Sequence, residues 1–510
     1  MSLFNQVQLR KPRTNLFKRS YEHKLSMSMG DLVPVYFDEV VPGDSFKVQT
    51  EIFLRMAPML APIMHRINVY MHYFFVPNRI IYTEWEEFIT GGEDGAAAPA
   101  FPQYTFSNSN STYYQDGSLA DYLGLPTMDT IPVALSKKIS ALPFRAYTEI
   151  WNEYYRDQNL QERADYDKSG TVTTNDLQLT TVLRKRAWQH DYLTSCLPWA
   201  QKGNSVNVPL TDPNFTSKAY EADGTEYPSG NTLTTSVEGS IIGDTTGTGM
   251  YIDTNQGIDI NELRASVRLQ EWLEKNARAG SRYVESILAH FGINLGDYRA
   301  QRPIYLGGNK NPVKISEVLQ TSATIVDGGE PHTNLPPSPQ GNMAGHGISG
   351  GVNGFKYKFR EHGYVFGIMS VLPMTNYQQA MPKLWNRFDK FDYFWPEFAN
   401  LGEQEVLSSE AYIGADSTTE NVEETFGYQS RYAEYKYRQS EVSSDMKNSL
   451  NFWHMGRIFD NQPVLNEEFI QADPTERIFP VQDGTNKLYV QVYNNVKSVR
   501  PMPKFGTPRL

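Results

Sequence analysis

"SFKVQTEIFLRMAPMLAPIMHRINVYMHYFFVP", residues 45–77, is the stretch on which the reading of this chain turns. Its first twelve residues alternate. Phe46, Val48, Thr50, Ile52, Leu54 and Met56 fall on one face, while Lys47, Gln49, Glu51 and Arg55 lie mostly on the other. A period of two means a half-buried strand. From Ile67 the pattern changes: Ile67, Val69, Met71, Tyr73 and Phe75 oppose Asn68, Tyr70, His72, Phe74 and Val76. Both faces are largely apolar, as in a strand covered on two sides. Pro58 and Pro62 lack ladder donors and force a loop between the two strands, and Pro77 ends the second. His65 and His72 are seven residues apart and point to opposite faces, so local geometry does not bring them to one metal. The stretch reads as packing rather than chemistry.

Further strands are expected at 355–359, 364–372 and 488–493. Helical spacing appears where Phe144, Tyr147, Trp151 and Tyr154 recur at three and four, and again over 261–291. There Leu269, Leu273 and Ala277 form a stripe, Glu271–Lys275 and Glu274–Arg278 stand at i, i+4, and Gly280 interrupts. Long irregular segments at 91–118, 203–259 and 325–354 separate these elements. With 31 tyrosines, 30 prolines and 37 glycines, the composition suits extended structure joined by loops. At 510 residues, strands this widely spaced favour one β-sandwich carrying insertions over a string of small domains.

The net charge of −11 conceals a division. Residues 1–25 carry Arg10, Lys11, Arg13, Lys18, Arg19 and Lys24 against Glu22, a net of +5. Residues 497–510 carry Lys497, Arg500, Lys504 and Arg509 and no acid, a net of +4. Residues 211–259 hold eight acids, among them Glu221, Asp223, Glu226, Glu238 and Asp244, against Lys218 alone, a net of −7. Basic ends suit nucleic acid, with solvated tails as the plain alternative. Phe17-Lys18-Arg19 and Phe355 to Arg360 interleave rings with cations in a way that suits stacking of unpaired bases, although strand packing is the plainer role for the second set. The single cysteine, Cys196, excludes an internal disulfide and any thiolate cluster. The basic N-terminus lacks an apolar core, so no secretory signal is expected, and no run of 18 apolar residues predicts a membrane span.

"GHGISGG", 345–351, matches two patterns at once: G-x-G-x-x-G through Gly345, Gly347 and Gly350, and G-x-S-x-G around Ser349. The first needs a strand before it and a helix after it, and the second needs a strand-to-helix turn. Here "PPSPQGNMA" precedes and "VNGFKYKF" follows, so the context fits a flexible loop leading into a strand. "DYDKSGTVTTND", 165–176, is the metal candidate. Asp165, Asp167 and Ser169 occupy positions 1, 3 and 5 of a calcium loop, Gly170 position 6, and Asp176 the place of the bidentate Glu. Asp is shorter than Glu, and "LQLTTVLRKRAW" is not a clear exiting helix, so a plain acidic turn competes with calcium. No H-E-x-x-H, Walker A or kinase set occurs, so nothing argues for an enzyme or a required cofactor.

Residues 22–92, from "EHKLSMSMGDLVPVYF" to "EWEEFITGG", closely resemble the N-terminal region of the major capsid proteins of the Microviridae, small tailless icosahedral single-stranded DNA phages, above all the gokushovirus-like branch. The resemblance resumes at "LPFRAYTEIWNEYYRDQNL", "HDYLTSCLPWAQKG", "SRYVESILAHFGI", "QRPIYLGG", "EHGYVFGIMSV", "FDYFWPEFANLGEQEV", "FGYQSRYAEYKYR" and "WHMGRIF". These blocks run in order along nearly the whole chain and leave out 93–130, 161–180, 211–259 and 325–350, so the calcium-like pattern gains no support from them.

The resemblance implies an all-β fold, an eight-stranded antiparallel jelly-roll sandwich with large loop insertions and a few helices. It implies a basic N-terminal arm over 1–30 and a single capsid domain over 31–510 ending in the basic tail 497–510. Insertions are expected at about 93–130, 161–180, 203–259 and 325–354, the third as a surface protrusion. The implied function is self-assembly, in a bacterial cytoplasm, into a simple icosahedral virion shell around circular single-stranded DNA. Arg10, Lys11, Arg13, Lys18, Arg19, Lys497, Arg500, Lys504 and Arg509 would face the DNA, while Glu221, Asp223, Glu226, Glu238 and Asp244 would sit on the exterior protrusion toward a host receptor. Implied partners are copies of the chain, a small basic internal DNA-binding protein and a minor pilot protein. A lectin-like β-sandwich for host attachment is the alternative, and a hydrolase built on Ser349 the third reading.

Overall fold

The computed structural model describes residues 13–127, 132, 135–204, four two-residue strands between 219 and 252, 260–279, 282–294, 296–297, 299–319, 343–414 and 422–505. The chain divides into two units, Met1–Pro198 with Arg282–Leu510, and Trp199–Ser281.

In the first unit the strands are β1 (Asn15–Lys18), β2 (Tyr21–Met27), β3 (Val33–Val40), β4 (Ser45–Met56), β5 (Ile67–Pro77), β6 (Gln103–Ser107), β7 (Ser136–Ser140), β8 (Ile304–Pro312), β9 (Lys314–Leu319), β10 (Met343–Lys358), β11 (Gly363–Pro373), β12 (Glu403–Leu407), β13 (Thr425–Ser430) and β14 (Leu488–Arg500). One sheet runs β14–β4–β10–β9, with β1 and β2 both paired to the free edge of β14; the other runs β8–β5–β11–β3. Every pairing is antiparallel. Such an arrangement brings chain-distant strands side by side, so it cannot be assembled from hairpins alone.

The alternation in β4 holds along its whole length, with Phe46, Val48, Thr50, Ile52, Leu54 and Met56 buried. These side chains meet Val490, Val492 and Val496 of β14 and, across the sandwich, Val69, Met71, Tyr73 and Phe75 of β5 in one apolar cluster. Two inner faces interdigitating in this way are the core of a sandwich. The other face of β5 is also covered. Phe74 and Val76 pack with Phe144, Tyr147, Ile150 and Trp151 from helix α1 (Leu142–Ile150) and its continuation, a wider π-type turn over Trp151–Tyr155. Only one β5 residue, His72, is even partly exposed, which is why the sequence there shows no polar face.

Three expectations are corrected. From Asn15 onward the N-terminal segment is not an arm: β1 and β2 hydrogen-bond along β14, register Asn15↔Arg500 to Lys18↔Lys497 and Tyr21↔Asn494 to Met27↔Leu488. Residues 343–354 are strand rather than flexible loop, so the glycine-rich motif lies inside β10. Two glycines of β10, Gly345 in the motif and Gly354 beyond it, mark close approach. A side chain at Gly354 would drive into the carbonyl of Val48, and one at Gly345 into that of Ala61. The stretch 161–180 contains helix α2 (Thr174–Thr180), and 93–130 contains β6, paired with β7.

The second unit contains helix α3 (Ile260–Ala279) and two-residue ladders joining Ala219–Tyr220 to Tyr251–Ile252 and Thr234–Thr235 to Ile241–Ile242. On α3, Ala277 is buried, Leu273 half-buried and Leu269 exposed, and Glu271 pairs back to Arg268 at 2.5 Å. In the first unit, helix α4 (Tyr283–Phe291) ends on Gly292 in the left-handed conformation, φ 68°. Among the described residues no helix is long and apolar enough to cross a membrane.

Candidate nucleic-acid interface

The face of the β14–β4–β10 sheet turned away from the core carries the outward residues of each strand. Strand pairing sets four lysines in line across it: Lys18 opposite Lys497, Lys497 opposite Lys47, and Lys47 opposite Lys356. All four are exposed. Neighbouring strands lie about 4.8 Å apart, so the row spans roughly 14 Å over four strands. Like charges directly opposite each other on a sheet weaken it. Among the described residues no carboxylate pairs with any of the four. The row therefore leaves a line of uncompensated cations matched to an anion of similar length.

Rings lie further along the same face. Phe53, Tyr489 and Tyr493 are exposed on β4 and β14, and the Arg55 guanidinium sits 5.2 Å from the centre of the Phe53 ring. Arg55 stands opposite Tyr489 across the strand pair. Cations and exposed rings on one open sheet are the parts that hold phosphates and stack unpaired bases.

Not every basic residue of the two ends belongs to this face. Arg19 donates to both oxygens of Asp38, at 2.7 and 2.9 Å. Arg500 lies 3.7 Å from Asp38 and 3.5 Å from Asp44, donates to the Glu39 carbonyl at 2.7 Å, and sits over the Phe46 ring. Asp44 is fully buried, and desolvation raises its pKa despite the Val41 amide and Arg500 beside it. Both arginines, Arg19 at the surface and Arg500 largely buried, serve as counter-ions to carboxylates where the chain ends meet β3. Arg13 is exposed, and Lys504 is exposed with its Nζ 5.8 Å from the Phe505 ring. Arg10, Lys11 and Arg509 lie outside the described residues, as do Glu221, Asp223, Glu226, Glu238 and Asp244.

In the calcium-like pattern the oxygens of Asp167 and Asp176 are engaged locally. Asp167 accepts from the Ser169 amide at 2.8 Å and its hydroxyl at 2.7 Å, which holds its carboxyl below the usual range. Asp176 accepts from the Thr173 amide and hydroxyl through one oxygen and from the Asp167 amide through the other. It is the third residue of α2 in a capping box with Thr173. Asp165 is exposed. Among the described residues no group of three or more His, Cys, Asp or Glu side chains is arranged to hold a metal. Ser349 is buried and donates to the Pro312 carbonyl at 3.0 Å, with no open side for a substrate. His72 hydrogen-bonds the Tyr155 hydroxyl at 2.8 Å, and His65 the Met374 carbonyl at 2.8 Å. Both histidines are packing residues, as their spacing implied.

Lys18 and Lys497 are legible as candidates from the charge of the chain ends, but Lys47 and Lys356 are not. Each reads as an ordinary outward residue of its own strand, and only inter-strand register aligns them. Phe355 and Lys356, which look like one mixed set in the sequence, divide between core and outer face.

The family model for capsid protein (F protein) matches residues 5–510. Over 99% of this chain and 97% of the relative, the sequence is 35% identical to capsid protein VP1 of Chlamydia phage 1. It is 33% identical to capsid protein VP1 of Bdellovibrio phage phiMH2K over 96% of this chain and 94% of that one. With capsid protein VP1 of Spiroplasma virus 4 it shares 29% over 95% and 93%.

Proposed function

This chain belongs to the capsid protein (F protein) family and is a structural capsid protein of a phage virion; from that premise we propose that its copies close a simple icosahedral shell around circular single-stranded DNA and turn the lysine-bearing sheet face toward the genome. The observation that carries this reading is the alignment Lys18–Lys497–Lys47–Lys356. Cross-strand like charge weakens a subunit and gains a purpose when phosphates lie along it.

The sandwich is a jelly roll in this reading. Taken in chain order, β2, β3, β4, β5, β8, β10, β11 and β14 alternate between two sheets ordered β2–β14–β4–β10 and β3–β11–β5–β8, with β5 and β8 the one consecutive pair in the same sheet. That interleaving of two Greek keys is the jelly-roll pattern of capsid domains. The acidic stretch 203–259 is then the exterior protrusion, with Glu221, Asp223, Glu226, Glu238 and Asp244 toward a host receptor, because acid is unfavourable beside packaged phosphate. The two basic ends, +5 and +4, are few against a genome carrying one charge per nucleotide. A small basic internal protein completes the neutralisation, and a pilot protein delivers the DNA.

The test replaces Lys47, Lys356 and Lys497 together by Gln in the full chain. Binding of single-stranded DNA by purified subunits should weaken, and the log–log salt slope should shrink by about 0.7 for each phosphate left without its lysine. Particles should retain less DNA. Unchanged slope and unchanged DNA content would remove the sheet face from the genome's side.

A further inference from the structure

We infer that the aromatic ribbon Trp385–Trp395 is a contact surface for a second copy of this chain. This rests on the shell-forming reading and names the surface by which the shell is held.

The ribbon is a chain of short 3-10 turns, Lys383–Trp385, Lys390–Asp392 and Pro396–Phe398, whose rings point outward. Phe388 is 89% exposed and Trp385 67%, and Phe391, Tyr393, Phe394 and Trp395 are each close to half exposed. Six rings of roughly 150–250 Å² apiece then offer on the order of 700 Å² of exposed ring surface within one short segment. That exceeds the roughly 300–600 Å² patch tolerated on an ordinary monomer. It approaches the ~800 Å² per partner of a stable protein interface.

The backbone beneath the rings is pinned. Asp392 accepts from the amides of Phe388 at 2.8 Å and Asp389 at 2.7 Å. The Trp395 indole donates to the Lys390 carbonyl at 2.8 Å, and its amide to the Tyr432 hydroxyl at 3.2 Å. The rings are therefore presented in place, so association costs little ordering entropy.

The charges identify the kind of partner. Of the three cations in or beside the ribbon, Arg387 is paired with Glu434 at 3.2 Å and stacked on Tyr435, and Lys383, two residues before Trp385, is paired with the buried Glu410 at 3.4 Å. Lys390 lies over the Phe391 ring. Nucleic acid would need those cations free for phosphate. A rigid ring surface with two of its three cations held from below, and the third lying over a ring, is instead the apolar centre of a protein interface. In a family whose members build shells from themselves, the copy next door is the partner always present.

Hydroxyl-radical oxidation of the full chain, in native particles and in subunits released from them, tests this. Trp385 and Phe388 should be strongly protected in particles and open in free subunits. Equal oxidation in both would overturn the assignment. Rings open in the particle but protected when host envelope is added would also overturn it, in favour of an attachment face. The Trp385→Ser, Phe388→Ser double variant should keep its circular dichroism and remain as slow-sedimenting subunits, with pairwise association about 30-fold weaker per ring. Folded variant subunits that close particles in normal yield would sink the proposal. Failure of the unaltered chain to appear in closed particles at all would sink the shell reading instead, so the two failures are separable.

Discussion

Arg19 forks onto Asp38 through two hydrogen bonds of 2.7 and 2.9 Å, and Arg500 approaches the same carboxylate from the other end of the chain at 3.7 Å. One acid on β3 thus ties down the first and last strands of the sheet. Asp38→Asn should cost about 1–2 kcal/mol in urea unfolding, the Arg19 side being partly solvent-screened. Trypsin should also cut earlier at Lys18 and Arg19. Unaltered cleavage there would show that main-chain pairing alone holds β1.

The lysine row makes the opposite kind of prediction. Lys497→Gln removes the charge that faces both Lys18 and Lys47, so the isolated subunit should gain a few tenths of a kcal/mol, seen as a slightly raised Tm at low salt. The gain should vanish as salt rises, because exposed charges are screened.

Two glycines of β10 should behave differently. Gly354→Ala places a methyl group against the Val48 carbonyl and should destabilise by about 2 kcal/mol or more. At Gly350 the nearest atom to a new Cβ is 3.8 Å away, so Gly350→Ala should change Tm little, within about 0.5 kcal/mol. Equal effects at both positions would mean that close approach is not what selects glycine here.

Burial, helped by the Arg186 charge, pulls the His72 pKa down to about 4. The unfolded chain protonates this ring near 6.5 while the folded chain keeps it neutral, so the unfolded state binds more protons between those values. The contribution is fully present above about 6.5 and is lost as pH falls toward 4, on the order of 3 kcal/mol in total. His72→Gln should flatten that part of the stability–pH curve relative to the unaltered chain. Parallel curves would place the acid sensitivity elsewhere.

Thr173 and Asp176 cap α2 reciprocally, so Thr173→Ala should cost about 1 kcal/mol. Because the oxygens of Asp167 and Asp176 accept protein N–H and O–H groups, adding a chelator should leave Tm unchanged. A chelator-induced drop that Asp165→Ala abolishes would instead reinstate calcium in this loop.

Local pattern alone determined a great deal about this protein. The alternation of Phe46 to Met56, the two-sided apolar run of β5 and the spacing of Phe144, Tyr147 and Trp151 each report which faces are buried, because side-chain direction repeats with a fixed period in strand and helix. Residues 345–351 read as loop in the sequence because glycine signals freedom when no neighbour is known. Only the packed sheet reveals that the loop after β4 crosses where a side chain at Gly345 would stand, and that Met56 and Asn311 fill the space beside Gly347 and Gly351. Register is the other matter left to the tertiary structure. Lys18, Lys47, Lys356 and Lys497 come from four distant segments, and nothing in any one of them says which residue the next strand will set opposite. The same holds for Arg19 and Arg500, which composition counts as free charge and the fold consumes as counter-ions to Asp38 and Asp44. Period is a property of one strand, whereas charge alignment and ion pairing belong to pairs of strands, and long-range contact alone decides them.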